Sequence, residues 1–211
     1  VPAGPEFQVN TYTTGAQVRP SVATDPTGAF VVTWSSGSYY GPGSQDGSAV
    51  GVFLQRFDSA GSPLGGEQQV NTHTVGPQIT PDVAADDAGN FVVVWTSGDY
   101  DYQQDGDRAG VFGQRFGVTG APASAEFQVN TFTTGAQNAP AVAMLSTGGF
   151  VVVWNSSSYP PQDGDSAGVF AQRFDSGLRL NLHFHGLWLD GAFACPLGGG
   201  RARFDPHGEV T

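Results

Sequence analysis

Lysine is absent from this chain of 211 residues, and all eight basic side chains are arginine. Against 19 Asp and Glu residues, that leaves a formal net charge of −11. A surface of this sign repels phosphate backbones, so nucleic acid is not expected as a partner of the chain's repeats. There is a single cysteine, Cys195. No intrachain disulfide can form, which excludes a disulfide-stapled scaffold while leaving secretion open. No apolar run approaches the ~18 residues of a membrane-spanning helix. The opening Val1-Pro2-Ala3-Gly4 has neither a basic n-region nor an apolar h-region. The expectation is a removed signal or an excerpt of a longer chain. Charged residues make up only 13% of the chain, whereas glycine (31) and proline (14) are abundant. This composition suits many turns and short strands rather than long helices.

One hydrophobic run organises the rest. Ala29-Phe30-Val31-Val32-Thr33-Trp34 returns as Asn90-Phe91-Val92-Val93-Val94-Trp95 and again as Gly149-Phe150-Val151-Val152-Val153-Trp154. A strand-like run that recurs about every sixty residues marks a repeat architecture. Period two places Phe30, Val32 and Trp34 on one face and Val31 and Thr33 on the other. Both faces are nearly apolar, which predicts cover on both sides, as in stacked sheets. Pro20–Ala23, Pro81–Ala84 and Pro140–Ala143 precede the run. They read as strands that open on proline, where the missing N–H falls at the end of the ladder. Val52–Phe57, Val111–Phe116 and Val169–Phe174 follow the run. A fourth type reads Glu6-Phe7-Gln8-Val9-Asn10, Glu67-Gln68-Gln69-Val70-Asn71 and Glu126-Phe127-Gln128-Val129-Asn130. Gly-containing turns at 26–28, 87–89 and 147–149 precede the hydrophobic run.

Three copies of each type predict twelve strands in three four-stranded units over residues 1–175. The expected fold is all-β and β-propeller-like. A threefold β-trefoil or prism-like body is the alternative, and an excerpt from a longer array is a third. The chain opens on a fourth-type strand and its last unit stops after the third. Glu6–Asn10 could therefore complete the last unit, and two chains could close a six-bladed ring. A homodimer is expected on that ground. Residues 176–211 leave the pattern and form a separate tail.

The string Phe-Val-Val-x-Trp, then Gln-Asp-Gly, then Gly-Val-Phe-x-Gln-Arg-Phe, then Glu-Phe-Gln-Val-Asn-Thr resembles a repeat of large secreted bacterial proteins. Proteins of that kind often carry haemolysin-type calcium-binding repeats as well. The resemblance covers residues 6–175 and implies secretion or a cell-surface location. The tail is similar to an internal segment of rolling-circle (HUH-type) transposases through Gln172, Arg173, Phe174, Ser176, Asn181, His183, Phe184, His185, Leu189, Asp190 and Gly191. It lacks that family's downstream catalytic tyrosines. The two likenesses together imply a repeat domain joined to a transposase fragment.

Candidate chemistry lies in the loops after the hydrophobic run. They read Gln45-Asp46-Gly47-Ser48, Gln104-Asp105-Gly106-Asp107 and Gln162-Asp163-Gly164-Asp165, with Asp99 and Asp101 ahead of the second. Carboxylates spaced by two around a glycine can turn oxygens inward, and calcium takes six to eight oxygen ligands. Asp46, Asp99, Asp101, Asp105, Asp107, Asp163 and Asp165 are thus candidate calcium ligands. A plain Asp-Gly hairpin turn is the alternative. His183 and His185 share one face of a strand and could hold a divalent metal, in the manner of HUH nucleases or of the His-x-His-Gly copper motif. A relic strand is the simpler reading. The three repeat tryptophans are in phase with Phe and Val and are expected in the core rather than on a sugar-binding ledge. His73 stands where Tyr12 and Phe132 stand and reads as a packing aromatic. Arg56, Arg115 and Arg173, with Glu6, Glu67 and Glu126, are expected to pair within or between units.

The functional expectation is a calcium-stabilised module of a secreted protein that binds glycans, other small molecules or surfaces. The alternative is a calcium-dependent hydrolase of esters or lactones, of the propeller-lactonase kind, with no catalytic residue assigned.

Overall fold

A computed structural model describes residues 4–38, 44–99, 101–157, 162–164 and 166–176. Asp165 and the whole tail from 177, with His183, His185 and Cys195, lie outside the described residues. The described residues fall within one unit, Val1–Leu178.

Phe-Val-Val-x-Trp forms a strand in each repeat because β-branched and aromatic side chains fit a pleated surface packed on both faces. Among the described residues there are eleven strands and no helix. They are β1 Ala16–Thr24, β2 Phe30–Gly37, β3 Val50–Phe57, β4 Gln68–Gln69, β5 Gln78–Ala85, β6 Phe91–Ser97, β7 Gly110–Phe116, β8 Phe127–Gln128, β9 Ala136–Met144, β10 Phe150–Ser157 and β11 Ala167–Phe174. They make three antiparallel sheets, ordered β1-β2-β3-β4, β5-β6-β7-β8 and β9-β10-β11. The first strands lie side by side, β1 by β5 and β5 by β9. The protein is thus all-β and propeller-like, each sheet a blade that packs face to face on the next.

The hydrophobic run does what its pattern predicts. Between the first and second blades, Val31, Val52 and Leu54 pack on Phe91, Val93, Trp95 and Phe112. Between the second and third, Val92, Val94 and Val111 pack on Phe150, Val152 and Trp154. Successive residues of β6 therefore face different neighbouring blades, and all seven are buried. The three tryptophans are core residues. Cross-strand phenylalanines stack in every blade: Phe30 on Phe57, Phe91 on Phe116 and Phe150 on Phe174, with centroids 4.9, 5.0 and 4.6 Å apart. Such pairs add to the stability of the ladder.

Two expectations about strands need correction. Pro20, Pro81 and Pro140 do not open their strands, which begin several residues earlier at Ala16, Gln78 and Ala136. Each proline sits instead at a β-bulge, where the register breaks between Val18 and Ser21 and between Ile79 and Asp82, with a matching break in β9. The first strand is an edge strand, so its missing N–H leaves no gap in a central ladder. The second correction concerns Glu6–Asn10, which is not a strand. Its counterparts pair with β3 and β7 over only two residues, as β4 and β8. Among the described residues no third strand lies beside Glu6–Asn10, and a strand needs a ladder. The third blade, for its part, has three strands among the described residues.

Leu54 is fully buried between the first and second blades. Leu54→Ala is expected to cost about 2–5 kcal/mol through lost burial and the cavity left behind. A denaturant midpoint that falls with an unchanged slope checks this.

Candidate functional site

The Gln-Asp-Gly loops are built as clamps. Asp46 Oδ1 accepts from the Ser48 N–H at 3.0 Å and from the Ser44 hydroxyl. Asp105 Oδ1 accepts from the Asp107 N–H at 3.2 Å, and its Oδ2 accepts from Asn130 Nδ2 at 3.4 Å. This is the local side-chain-to-backbone bonding for which aspartate is favoured in turns. The same carboxylates lie directly over a glycine of the following strand. A Cβ on Gly51 would come within 2.9 Å of Asp46 Oδ2, one on Gly110 within 2.6 Å of Asp105 Oδ2, and one on Gly168 within 2.6 Å of Asp163 Oδ2. The Gly-Val-Phe that opens each third strand is therefore a steric partner of the Gln-Asp-Gly loop before it.

The glutamine of each loop reaches a glutamate. Gln45 Nε2 donates to Glu67 at 2.9 Å and Gln104 Nε2 to Glu126 at 2.5 Å. Those glutamates also hold the backbone of the segment that leads into their blade. Glu67 accepts from the N–H groups of Thr11 and Tyr12. Glu126 accepts from Thr72 N–H at 2.6 Å, the Thr72 hydroxyl at 2.8 Å and the His73 N–H at 3.4 Å. The arginines reach the other way. Arg56 donates to the Thr119 carbonyl, and Arg115 to the carbonyls of Asp175 (2.6 Å) and Ser176 (3.4 Å). The expected Arg–Glu pairing is therefore replaced by two separate ladders, in which each arginine meets backbone of the next blade and each glutamate the segment leading into its own. By register Glu67 falls opposite Gln55, beside Arg56, and Glu126 opposite Gln114, beside Arg115, yet each charge turns to backbone instead. His73 is half-buried, like Tyr12 and Phe132.

Two carboxyls are displaced in opposite directions. Burial raises the Asp105 carboxyl, and its turn hydrogen bonds offset only part of that. Burial also raises Glu67, but the Thr11 and Tyr12 N–H groups and the Gln45 amide outweigh it, so the net shift is downward.

As candidate calcium ligands, the aspartates are already at work. Asp99 Oδ1 accepts from the Asp101 and Tyr102 N–H groups at 2.9 and 3.1 Å. Asp107 Oδ2 accepts from the Gly135 N–H at 2.9 Å. Asp101 is exposed. Asp46 keeps one buried oxygen, Oδ2, without a partner. Among the described residues, no group of three or more His, Cys, Asp or Glu side chains is gathered where it could hold a metal ion.

The repeat builds a different feature on the inner strands, one that carries no signal in residue type. Arg19, Thr80 and Ala139 all have left-handed backbone, with φ of 56°, 53° and 51°. Each precedes the proline of its bulge, where the right-handed helical region is disfavoured. Non-glycine residues held in this region are strained, and such strain concentrates at sites of function. The three bulges meet around an open cleft of about 400 Å³ lined by Arg19, Ser21, Thr80, Asp82, Ala139 and Ala141, with the three prolines between them. Asp82 ties the blades together beside it. Its Oδ1 accepts from the Ser21 hydroxyl at 2.6 Å and its Oδ2 from the Val142 N–H at 2.8 Å. Thr80 bonds the Thr96 hydroxyl at 2.9 Å, which in turn accepts from the Ala139 N–H at 3.1 Å. Arg19 is exposed at the rim and has no hydrogen-bond partner among the described residues. The recurring x-Pro dipeptide was the available clue, but it reads equally well as a strand start.

No family model matches the chain, and no curated protein matches it. Among solved structures it is similar to an endo-arabinase of Bacteroides thetaiotaomicron, at 15% identity and a TM-score of 0.45, over 79% of this chain and 60% of that one. It is also similar to a mutant of the GH43 protein BlXynB of Bacillus licheniformis, at 10% identity and a TM-score of 0.27, over 81% and 42%. The chain thus spans less than two thirds of either structure.

Two tests follow from the clamp. Gly110→Ala places a methyl group against a carboxylate whose position the turn fixes, and is expected to cost about 1–3 kcal/mol, read by chemical denaturation. The lowered Glu67 carboxyl contributes stability that is present above its unfolded-state pKa and lost as pH falls through its folded value. Asp105, raised by burial, opposes stability as pH rises above its unfolded value. Glu67→Gln is expected to flatten the acid limb of a plot of melting temperature against pH, and an unchanged limb would count against the network.

Proposed function

We propose that this chain is a non-catalytic, propeller-like binding module that holds an oxygen-rich, carbohydrate-type ligand in the cleft where its three inner-strand bulges meet. One observation carries the reading. The same strained, left-handed residue is built three times around one open cleft, and one of the three, Arg19, presents at its rim a guanidinium with no hydrogen-bond partner among the described residues. Hydroxyl-rich ligands are held by convergent donors and acceptors on a rigid frame. Here the prolines and the Asp82 bonds hold the frame in place. A guanidinium is a fixed fork of five donors suited to vicinal hydroxyls or a uronic carboxylate. Such a module belongs outside the cell, where the acidic, lysine-free surface favours solubility.

Glycan-array screening followed by calorimetry tests the proposal. Arg19→Ala is expected to weaken the best glycan about tenfold, the order of one charge-assisted hydrogen bond, without moving the melting temperature. Equal binding by the variant would remove the cleft from the proposal. Calcium is not part of this reading. Melting curves in calcium and in EDTA are expected to superpose, and a rise of several degrees in calcium would restore an ion to the Asp99–Asp107 loop.

A further inference from the structure

Among the described residues, the third blade has no fourth strand and the segment ahead of the first blade lies in no sheet. In the first two blades the fourth strand is held by three bonds. The Val70 N–H donates to the Val52 carbonyl and the Val129 N–H to the Val111 carbonyl, both at 2.8 Å. In return, Asn71 Oδ1 accepts from the Val52 N–H at 2.8 Å and Asn130 Oδ1 from the Val111 N–H at 2.7 Å. The loop glutamine then reaches the glutamate four residues before that asparagine.

In the third blade, Val169 holds the place of Val52 and Val111. It pairs with Asn155 as Val52 pairs with Ser35 and Val111 with Thr96. By that register its N–H and C=O face outward, on an edge to which no described strand is joined. Val52 and Val111 are fully buried, whereas Val169 is 76% exposed. Gln162 stands in the place of Gln45 and Gln104, and no Glu-x-Gln-Val-Asn follows Phe174.

A strand of the required sequence stands ahead of the first blade. Glu6-Phe7-Gln8-Val9-Asn10 matches it and joins no sheet among the described residues. Its asparagine is already set, because Asn10 Nδ2 donates to the Tyr12 carbonyl at 2.9 Å as Asn71 does to His73 and Asn130 to Phe132. Glu6, Phe7 and Gln8 are exposed, and Val9 and Asn10 only half-buried, whereas Val70, Asn71, Val129 and Asn130 are buried. The segment cannot serve its own third blade. Phe7 packs on Phe57 of the first blade at 5.4 Å, Thr11 and Tyr12 are bonded to Glu67, and the second blade stands between.

The blade faces show the same complementarity. Val92 and Val94 are buried against the third blade, but their counterparts Val151 and Val153 are each 37% exposed. Phe91 and Phe150 are buried against the blade before them, but Phe30 is only half-buried.

We infer that the chain associates head to tail, with the Glu6–Asn10 segment of a second copy adding as the fourth strand to the β11 edge of the first. Val9 and Asn10 then bond Val169, Glu6 receives Gln162, and the Phe30 face of the second copy covers Val151 and Val153. This is strand addition to an exposed edge, with main-chain bonds for affinity and side chains for register. The contact is heterologous, and with two copies it closes as six blades, within the usual range for propellers.

Light scattering on the full chain tests the inference. The expected mass is two or more times the 21.9 kDa of one chain; the mass of a single chain overturns it. Val169→Asp puts a charge on the open edge at a position where the single chain does not bury the side chain. It is expected to give single chains with an unchanged far-ultraviolet circular dichroism spectrum. An assembled mass for this variant overturns the inference. Asn10→Ala, outside every sheet, is expected to weaken association at least tenfold, and an unweakened variant also overturns it. Val118→Asp, on an exposed turn of the second blade, is expected to keep the assembled mass. Loss of assembly there too would show that any added charge suffices, and would equally overturn it.

Discussion

The middle blade buries the two faces of its second strand against two different neighbours, and the rest of the structure depends on that double burial. In β6, Phe91, Val93 and Trp95 look towards the first blade while Val92 and Val94 look towards the third. No single sheet can satisfy such a strand, because side chains alternate from face to face and one face would remain in water. A blade of this sequence is stable only inside a stack. That is why the described residues form a series of sheets rather than one, and why the end blades differ from the middle one. β10 alternates between buried and exposed residues along its length, whereas β6 is buried throughout, although the two strands have almost the same sequence.

Polar groups set the spacing of the stack. The fourth strand is only two residues long as a ladder, yet it is where two blades are tied together. Asn71 accepts from Val52 in one blade and donates to Gln78 in the next, and Asn130 does the same between Val111 and Gln137. The arginines bridge to the next blade through its backbone, and the glutamates hold the backbone of the segment entering their own. Buried backbone N–H and C=O groups need partners, and charge-assisted bonds to them are stronger than neutral ones. The Gln-Asp-Gly loops belong to this framework. Their carboxylates cap turns and accept from neighbouring backbone, as Asp46, Asp105 and Asp107 do.

Repeat length, the four strand types, the core position of the tryptophans and the turns could all be read from residue order, because each rests on local periodicity or on a turn residue. The extent of the first strands was misjudged, because proline at a bulge and proline at a strand start have the same sequence signature. The contacts of the acidic loops were also hidden. Asp105 stands near Asp101 and Asp107 in sequence, and folding brings Asn130 and Gly110 against it. Those two residues follow it by 25 and 5 positions, and no motif links them.

Residue order alone therefore settled that this is an all-β array of three like units with an acidic surface, since periodicity two and a sixty-residue recurrence are properties of the chain. Folding in three dimensions settled which of those like positions are alike in fact. Val52, Val111 and Val169 share one sequence context, yet two are sealed beneath a fourth strand and one lies open to solvent. Arg19, Thr80 and Ala139 share no side-chain chemistry, yet they adopt the same strained backbone around one cleft. Burial and strain are set by what packs against a residue, and in a stacked array that neighbour comes from another repeat.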